Sequence, residues 1–138
     1  MTDGSYAVHP IGRVESPLRE PADAPKQGSE VTDDAWLVLD ESMREGIRDI
    51  EVGSDLVVLT WLHLARRDVL VVHPRGEVDV PERGVFTTRS PHRPNPIGLH
   101  RVTVAAVEGT RIRVRNLEAV DGTPVLDLKP VAHGAADH

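Results

Sequence analysis

The chain has 138 residues and a formal net charge of −6, with 39% hydrophobic and 28% charged residues. This balance is typical of a soluble globular protein, and the length favours one domain over residues 1–138. No apolar run approaches the ~20 residues that cross a bilayer, and no signal peptide is evident, so we expect a cytoplasmic protein without a membrane partner. The sequence has no cysteine, which excludes thiol catalysis, zinc–cysteine sites and disulfides.

The charge is unevenly distributed along the chain. The first 60 residues carry 13 acidic and 5 basic side chains, which sum to −8, and the remainder carries 9 and 11, which sum to +2. The segment 84–107 has no Asp or Glu but contains Arg89, Arg93 and Arg101. The overall negative charge argues against a general nucleic-acid coat protein. The segment 84–107 is therefore predicted to hold an anion-binding site, unless its arginines only solvate the surface.

Short Val- and Leu-rich runs bounded by Gly, Pro and Asp predict mostly strands. The predicted strands are 9–14, 35–39, 55–63, 68–73, 85–88, 101–107, 111–117 and 125–131. Val102, Val104 and Ala106 are predicted to share one face of their strand. The short link 108–110, centred on Gly109, predicts an antiparallel hairpin.

One helix is predicted, over residues 41–50, because Met43, Ile47 and Ile50 fall on one helical stripe. Eight short strands, eleven prolines and one short helix favour a mainly β, antiparallel barrel or sandwich. Residues 17–30 are too broken by proline and glycine for regular structure and predict a long ordered loop. Residues 134–138 are predicted to be a frayed tail.

The most unusual segment is 89–99, which has three prolines within six residues. Each proline removes a backbone donor and restricts the residue before it, so this segment is predicted to be a rigid loop. Arg89 and Arg93 on such a stiff backbone hold their donors in place for a carboxylate or a phosphate. The alternative is a structural turn whose arginines cap backbone carbonyls.

A second candidate segment is Asp121-Gly122-Thr123-Pro124 and the strand that follows it. Asp-Gly and Pro predict a turn, and the alternation that follows puts Asp127 and Lys129 on one face. This pair is either a surface ion pair or a group that handles a proton or orients a ligand.

Other common sites fail on spacing. The sequence has no dinucleotide or phosphate-binding glycine loop and no metalloprotease motif. The histidines at 63, 73, 92 and 100 have no zinc-ligand spacing, so no metal is expected. Aromatic residues are only 3% of the chain, which disfavours an RNA-binding platform built on base stacking.

These motifs resemble those of a known family. Residues 84–91 running into 93–99, and residues 121–130, resemble the two signatures of the small β-barrel tRNA methyltransferases. These enzymes use S-adenosylmethionine to N6-methylate threonylcarbamoyladenosine beside the anticodon. Residues 11–17, 25–27 and 46–63 also fit, so the resemblance covers about residues 8–131.

The resemblance implies a β-barrel homodimer that binds S-adenosyl-L-methionine and acts on tRNA. The implied cofactor-binding residues are Pro25, Lys26, Gln27, His63, Leu64, Arg89, Leu99, Asp121, Gly122, Thr123 and Pro124. Lys26 replaces the usual arginine, which turns a bidentate contact into a point-charge contact. His100 stands where serine is commoner. Many members also carry a C-terminal lobe that has no counterpart in these 138 residues.

The chemistry of methyl transfer suggests roles for other residues. Asn95, between two prolines, is the candidate acceptor for N6–H bonds of the adenine, and Asp127 is the candidate proton acceptor. Arg93, Arg101 and Lys129 are the candidate substrate-binding residues. Two other functions stay open: methylation of a small-molecule acceptor, and a non-catalytic module that senses S-adenosylmethionine.

Overall fold

Short strands make up most of the fold. The structure is a computed structural model that describes residues 4–17, 34–73, 79 and 81–131. Its strands are β1 (Gly12–Glu15), β2 (Ala35–Leu39), β3 (Asp55–Trp61), β4 (Val71–Val72), β5 (Arg83–Gly84), β6 (Ile97–Glu108), β7 (Arg111–Arg115) and β8 (Pro124–Pro130). Six of them form a closed antiparallel barrel in the order β1-β2-β7-β6-β3-β8, while β4 and β5 form a separate two-stranded ribbon. The predicted mainly β class is confirmed.

Alternating side chains build the barrel core. In β2 the residues Ala35, Leu37 and Leu39 are buried and the intervening residues face outward. This strand has the bounds that its alternation predicts, because one face meets the core and the other meets water. The largest fully buried side chains are Val14, Leu37, Val58, Val85, Val102, Val104, Ile112, Val114, Leu117 and Val125, with Thr60 and Thr123.

The hairpin between β6 and β7 is confirmed, with Glu108 paired to Arg111 and Gly109 at φ +64°. One detail of the β6 prediction is wrong. Val104 pairs with Val114, but the next pairs are Ala106 with Arg113 and Val107 with Ile112. A bulge thus adds one residue, and beyond it Val107 rather than Ala106 packs against the core.

Other predicted strand bounds were wrong by a few residues. Strand β1 begins at Gly12 rather than residue 9, β3 ends at Trp61 rather than 63, and β4 is reduced to Val71–Val72. Strand β6 begins at Ile97 rather than residue 101, because Ile97, Gly98 and Leu99 continue the ladder with β3. The rigid loop therefore ends earlier than predicted. β7 ends at Arg115, and β8 spans Pro124–Pro130.

In the described part of the chain, two segments form 3-10 helices. Glu41–Ile47 is a 3-10 helix that ends before the predicted residue 50, where Asp49 has a φ of +76°. Its predicted apolar stripe is confirmed, since Ile47 is buried and Met43 packs against the core. Val85–Thr87, predicted as a strand, is also a 3-10 helix.

The threonines of this second segment explain the difference. Thr87 Oγ1 donates to the Gly84 carbonyl at 2.8 Å, and Thr88 Oγ1 donates to the Val85 carbonyl at 3.0 Å. Such local side-chain bonds compete with a strand ladder.

Parts of the prediction lie beyond these described ranges. Residues 18–30 of the predicted loop and the tail 134–138 are outside the described residues. Within the described ranges, no helix has the length and apolarity to cross a membrane.

Candidate functional site

Most of the predicted site residues lie at one end of the barrel, where four strands begin or end. The end of β3 meets the start of β6 through the pair Trp61–Ile97 and the start of β8 through the pair Thr60–Val125. Strand β1 runs towards the same end, with Arg13 opposite Pro124. The chain after β3, the loop before β6 and the turn before β8 are therefore neighbours.

The turn Asp121–Pro124 is docked on the end of β1. The amide of Gly122, which has a φ of +85°, donates to the Val14 carbonyl at 2.7 Å, and the Val14 amide donates to the Thr123 carbonyl at 2.9 Å. Asp121 Oδ1 accepts the Ser16 amide at 3.0 Å. Thr123 is buried and donates its hydroxyl to the Val120 carbonyl at 2.7 Å. The turn is thus held rigidly, and its left-handed glycine suits it for close approach by a ligand.

Arg93 braces the proline-rich loop from inside. Its Nη2 donates to the carbonyls of Val85 and Thr88, and its Nε is buried without a hydrogen-bond partner in the described structure. These contacts favour the carbonyl-capping alternative for Arg93. They also tie the Val85–Thr87 helix to the loop, so that the loop is ordered without a ligand.

Arg67 links the chain after β3 to the same loop. Its Nε donates to the Pro94 carbonyl at 2.7 Å, and its Nη2 donates to Asn95 Oδ1 at 2.9 Å. The guanidinium also lies 5.1 Å from the centroid of the Trp61 ring, within cation–π range. Arg67 therefore fixes the orientation of the Asn95 amide.

Backbone contacts join these two segments further. The Leu62 amide donates to the Pro96 carbonyl at 2.8 Å, the Arg93 amide donates to the Arg66 carbonyl at 3.1 Å, and the Arg66 amide donates to His92 Nδ1 at 3.0 Å. The Arg66 side chain makes a two-point hydrogen bond to Asp68, which lowers the pKa of that carboxyl. The Arg66 guanidinium is therefore already bound to a carboxylate of the same chain.

Two predicted residues at this end keep unengaged polar groups. Arg89 and His63 are both exposed, and neither makes a hydrogen bond or ion pair in the described part of the chain. Leu64 beside His63 is 54% exposed. A free guanidinium, a free imidazole and an exposed apolar side chain thus lie at the same end of the barrel as the docked turn.

A second group of predicted residues lies on the outer face of β6, β3 and β8. Leu99 pairs with Leu59, which in turn pairs with Asp127, so Leu99 and Asp127 lie two strand spacings, roughly 10 Å, apart. Asp127 Oδ2 is 3.2 Å from Lys129 Nζ, which confirms that these two side chains share a face.

Arg101 belongs to the same outer face. It forms an ion pair with Asp55 at 3.1 Å, and both the arginine and its partner are at least partly exposed. Leu99 is 50% exposed and Ile97 is 46% exposed, so this face is apolar next to the site and charged further from it.

A polar pair lies inside the barrel just below the site. Thr60 Oγ1 and His100 Nε2 are 2.8 Å apart, and Thr60 is fully buried. Burial lowers the pKa of His100 to about 4, so its imidazole is neutral at pH 7. A Cβ on Gly98 would lie 2.5 Å from Thr60 Oγ1 and 2.7 Å from His100 Nε2, so this pair needs glycine there.

Sequence reasoning missed Arg67 and the Thr60–His100 pair. Arg67 sits in a charged turn, where nothing in the sequence distinguishes it from Arg66, and its partners lie 27 and 28 residues away. Thr60 carried a signal, because it is a polar residue at an inward position of an alternating strand. The predicted Pro25, Lys26 and Gln27 lie outside the described residues. Among those that are described, no three His, Asp or Glu side chains gather in a way that could hold a metal ion.

Fold and site together define a small antiparallel β-barrel with the candidate loops gathered at one end. Residues 13–137 match the family model of the tRNA-methyltransferase O (TrmO) N-terminal domain, and the chain belongs to this family.

Curated relatives and solved structures resemble the chain over most of its length. A probable S-adenosyl-L-methionine-binding protein of Methanothermobacter thermautotrophicus is 42% identical over 94% of this chain and 93% of its own. An S-adenosyl-L-methionine-binding protein of Archaeoglobus fulgidus is 47% identical over 88% and 86%.

Two solved structures also resemble this chain. A crystal structure of TrmO superposes with a TM-score of 0.78 at 31% identity and covers 97% of this chain. TrmO from Pseudomonas aeruginosa superposes with a TM-score of 0.76 at 28% identity and 97% coverage. The chain spans 62% and 60% of the lengths of these two TrmO chains.

Proposed function

We propose that this protein binds S-adenosyl-L-methionine at the loop end of the barrel and methylates N6 of threonylcarbamoyladenosine beside the anticodon of tRNA. The observation that carries the proposal is that Arg89 and His63 lie unengaged at the end of the barrel that holds the docked turn Asp121–Pro124. Membership of the TrmO N-terminal-domain family and relatives named for binding S-adenosyl-L-methionine support it.

The residues present fit this cofactor. Its carboxylate suits the free guanidinium of Arg89, and its apolar parts suit the exposed Leu64 and Leu99. The Gly122 turn offers a backbone that a ribose or an adenine can approach closely, and its neighbour Thr123 is buried and fixed. Pro25, Lys26, Gln27, Asp121 and Pro124 complete the proposed set.

When bound, the cofactor supplies an electrophilic methyl group on a sulfonium. The protein's contribution is then to align the adenine nitrogen with that methyl group, an effect that supplies up to ~7–11 kcal/mol in favourable cases. The side-chain oxygen of Asn95 has two lone pairs, one of which accepts from Arg67. The other is available to accept an N6–H bond and draw electron density onto the nitrogen.

The N6 proton must leave during or after the transfer. Asp127 is the proposed acceptor, directly or through water, and its ion pair with Lys129 orients the carboxylate. Its outward position on β8, in line with Leu59 and Leu99, leaves it accessible from the face that carries the proposed cofactor residue Leu99.

Substrate binding is divided among three basic residues. Arg101 and Lys129 lie exposed on the outer face of β6 and β8, where phosphates can reach them. Arg93 supports the substrate indirectly, because its contacts with the Val85 and Thr88 carbonyls hold the loop that carries Arg89 and Asn95.

The central test combines cofactor binding with nucleoside analysis. The purified protein is incubated with labelled S-adenosylmethionine and with tRNA that carries threonylcarbamoyladenosine, and the nucleosides are analysed by mass spectrometry. Methylated threonylcarbamoyladenosine is the expected product. Bound cofactor without any methylated nucleoside would overturn the proposal.

Matched variants then locate the site. Arg89→Ala is expected to weaken cofactor binding at least about tenfold, whereas Arg83→Ala, an exposed arginine on the β4–β5 ribbon, serves as the control. Asn95→Ala and Asp127→Ala are expected to bind cofactor normally and to turn over slowly. Unchanged turnover in both would remove these residues from the mechanism.

A second candidate function is a module that binds S-adenosylmethionine without catalysis. The names of the two archaeal relatives, which describe binding alone, favour it. Methylation of a small-molecule acceptor is distinguished in the same assay by offering small amines in place of tRNA. Product from the amine alone would change the acceptor but keep the cofactor site.

We propose that the protein acts in the cytoplasm as a homodimer. Leu64, Ile97 and Leu99 are about half exposed beside the site, and covering them is the favourable outcome of pairing two barrels. Sedimentation of the protein at micromolar concentration is expected to give the mass of two chains, and a single 15.1 kDa species would exclude this assembly.

A further inference from the structure

Four arginines lie on the outer face of the barrel where β1, β2 and β7 are neighbours. Arg111, Arg113 and Arg115 alternate outward along β7, and Arg13 projects from β1. Strand β2, between β1 and β7, carries Trp36 on the same face. We refer to these five residues as the β7 arginine face.

The tryptophan holds two of the arginines. The guanidinium carbon of Arg111 is 4.7 Å from the centroid of the Trp36 ring, and that of Arg113 is 5.9 Å away. Both distances are within cation–π range, so the long side chains are ordered along the surface. Order of this kind reduces the entropy lost when a guanidinium binds an anion.

Three carboxylates partly neutralise this face. Glu15 pairs with Arg13 at 3.3 Å and with Arg111 at 3.0 Å, Asp34 pairs with Arg113 at 3.4 Å, and Glu108 stands opposite Arg111 in the ladder. Four arginines against three carboxylates leave the face positive, although the chain as a whole is at −6. Exposed pairs of this type are worth ~0–1 kcal/mol, so a phosphate can displace the carboxylate.

Arg115 is the most available member of the face. It is exposed and has no ion pair or hydrogen bond within the described residues, and it stands opposite Thr103 in the ladder. Successive outward side chains on a strand are roughly 7 Å apart, which suits regularly spaced anionic groups. Strand β7 runs towards the site end, since six residues after Arg115 the chain reaches Asp121.

We infer that the β7 arginine face binds the sugar–phosphate backbone of the RNA acceptor and guides it along the barrel to the loop end. This inference rests on the proposed function for the identity of the acceptor. Strands β2 and β7 lie across the ring from β3 and β8, so this contact is separate from Lys129, whereas Arg101 lies on β6 beside β7 and continues the same surface. Arginine side chains ordered by an aromatic neighbour suit the phosphates of an RNA backbone. Such a contact binds the phosphates and does not read the base edges.

The test compares two charge reversals in the full chain. Arg115→Glu changes an exposed residue of the face, and Arg48→Glu changes another exposed arginine, just after the Glu41–Ile47 helix. Both alter the net charge by the same amount. We measure the dissociation constant for unmodified tRNA from 50 to 300 mM salt, the affinity for S-adenosylmethionine, and methyl transfer to modified tRNA.

We expect Arg115→Glu to weaken tRNA binding at least about fivefold and to lower the salt slope by about 0.7–0.9, which corresponds to one phosphate contact. Arg48→Glu is expected to stay within about twofold of the unaltered protein, and neither variant changes cofactor affinity. In a Trp61→Phe chain Trp36 is the one remaining tryptophan, and its fluorescence is expected to change on RNA binding.

Each outcome separates the inference from the proposed function. If the unaltered protein methylates tRNA and Arg115→Glu binds it like Arg48→Glu, the inference fails and the proposed function stands. If tRNA binds through Arg115 but no methyl group is transferred, the inference stands and the proposed function fails. If a polyglutamate peptide binds through Arg115 and tRNA does not, the face recognises an acidic protein and the inference fails.

Discussion

His100 makes the stability of this protein depend on pH in a way that can be calculated. The pKa of His100 is lowered from 6.5 to about 4 by burial, so the unfolded chain takes up a proton that the folded barrel refuses. Above pH 6.5 this group is neutral in both states and has no effect. Below pH 6.5 the unfolded state is favoured, and the free energy of unfolding falls until the pH reaches about 4.

The magnitude follows from the pKa difference. One pKa unit corresponds to about 1.4 kcal/mol, so this histidine lowers the free energy of unfolding by about 2 kcal/mol at pH 5 and about 3 kcal/mol at pH 4. Urea unfolding at pH 7.5 and 5 measures this quantity for the unaltered protein and for His100→Asn. The unaltered protein is expected to lose about 2 kcal/mol more than the variant, because all other titrating groups cancel in the comparison.

A second variant separates burial from hydrogen bonding. Thr60→Val removes the hydroxyl that lies 2.8 Å from the imidazole and is expected to cost about 1 kcal/mol at every pH. Since burial is the cause of the lowered pKa, this variant should keep the pH dependence. Parallel pH profiles for the unaltered protein and His100→Asn, or an imidazole that titrates near pH 6.5 by NMR, would refute the reasoning.

Three further predictions concern packing, positioning and substrate binding. Gly12→Ala is expected to destabilise the barrel by about 2–3 kcal/mol in urea unfolding, because its Cβ would lie 2.3 Å from a backbone oxygen, whereas Gly46→Ala meets no atom within 4 Å and should be near neutral; equal effects would contradict this. Arg67→Ala is expected to slow methyl transfer about tenfold with cofactor affinity unchanged, since it releases the Asn95 amide, and Arg67→Lys should not restore the rate; full activity in Arg67→Ala would exclude the positioning role. Arg101→Ala is expected to weaken tRNA binding and reduce its salt slope without altering cofactor affinity, and an equal loss of both would contradict the division of roles.

Local patterns predicted the strands better than the contacts between them. The alternation of residues 35–39 and the glycine-centred turn at 109 act within a few residues of the chain, and the structure has both features as predicted. The predicted face of Ala106 was wrong because of the bulge. The bulge depends on how β7 pairs with β6, and the pattern of a single strand does not contain that information. The strand predicted at 85–88 was wrong because threonine hydroxyls stabilise a 3-10 turn in a sequence that also suits a strand.

In the site, too, local motifs were predicted better than the contacts between segments. The motifs at 89–99 and 121–124 identified the loops, and the antiparallel register then brought them to one end of the barrel. The division of labour between two similar arginines could not be predicted. Arg93 is engaged with two carbonyls while Arg89 is free, and this difference arises only when the Val85–Thr87 helix packs beside the loop.

The barrel's strand pair with the fewest ladder contacts, β1 with β8, closes the ring. Strands β1 and β8 share two ladder pairs, Gly12 with Val125 and Arg13 with Pro124, which are more than a hundred residues apart. During synthesis on a ribosome the first strand must therefore wait, without its second neighbour, until residues 124 and 125 have emerged. A ribosome-stalled fragment that stops before residue 121 would carry the arginine-rich loop but could not yet assemble the turn docked on β1.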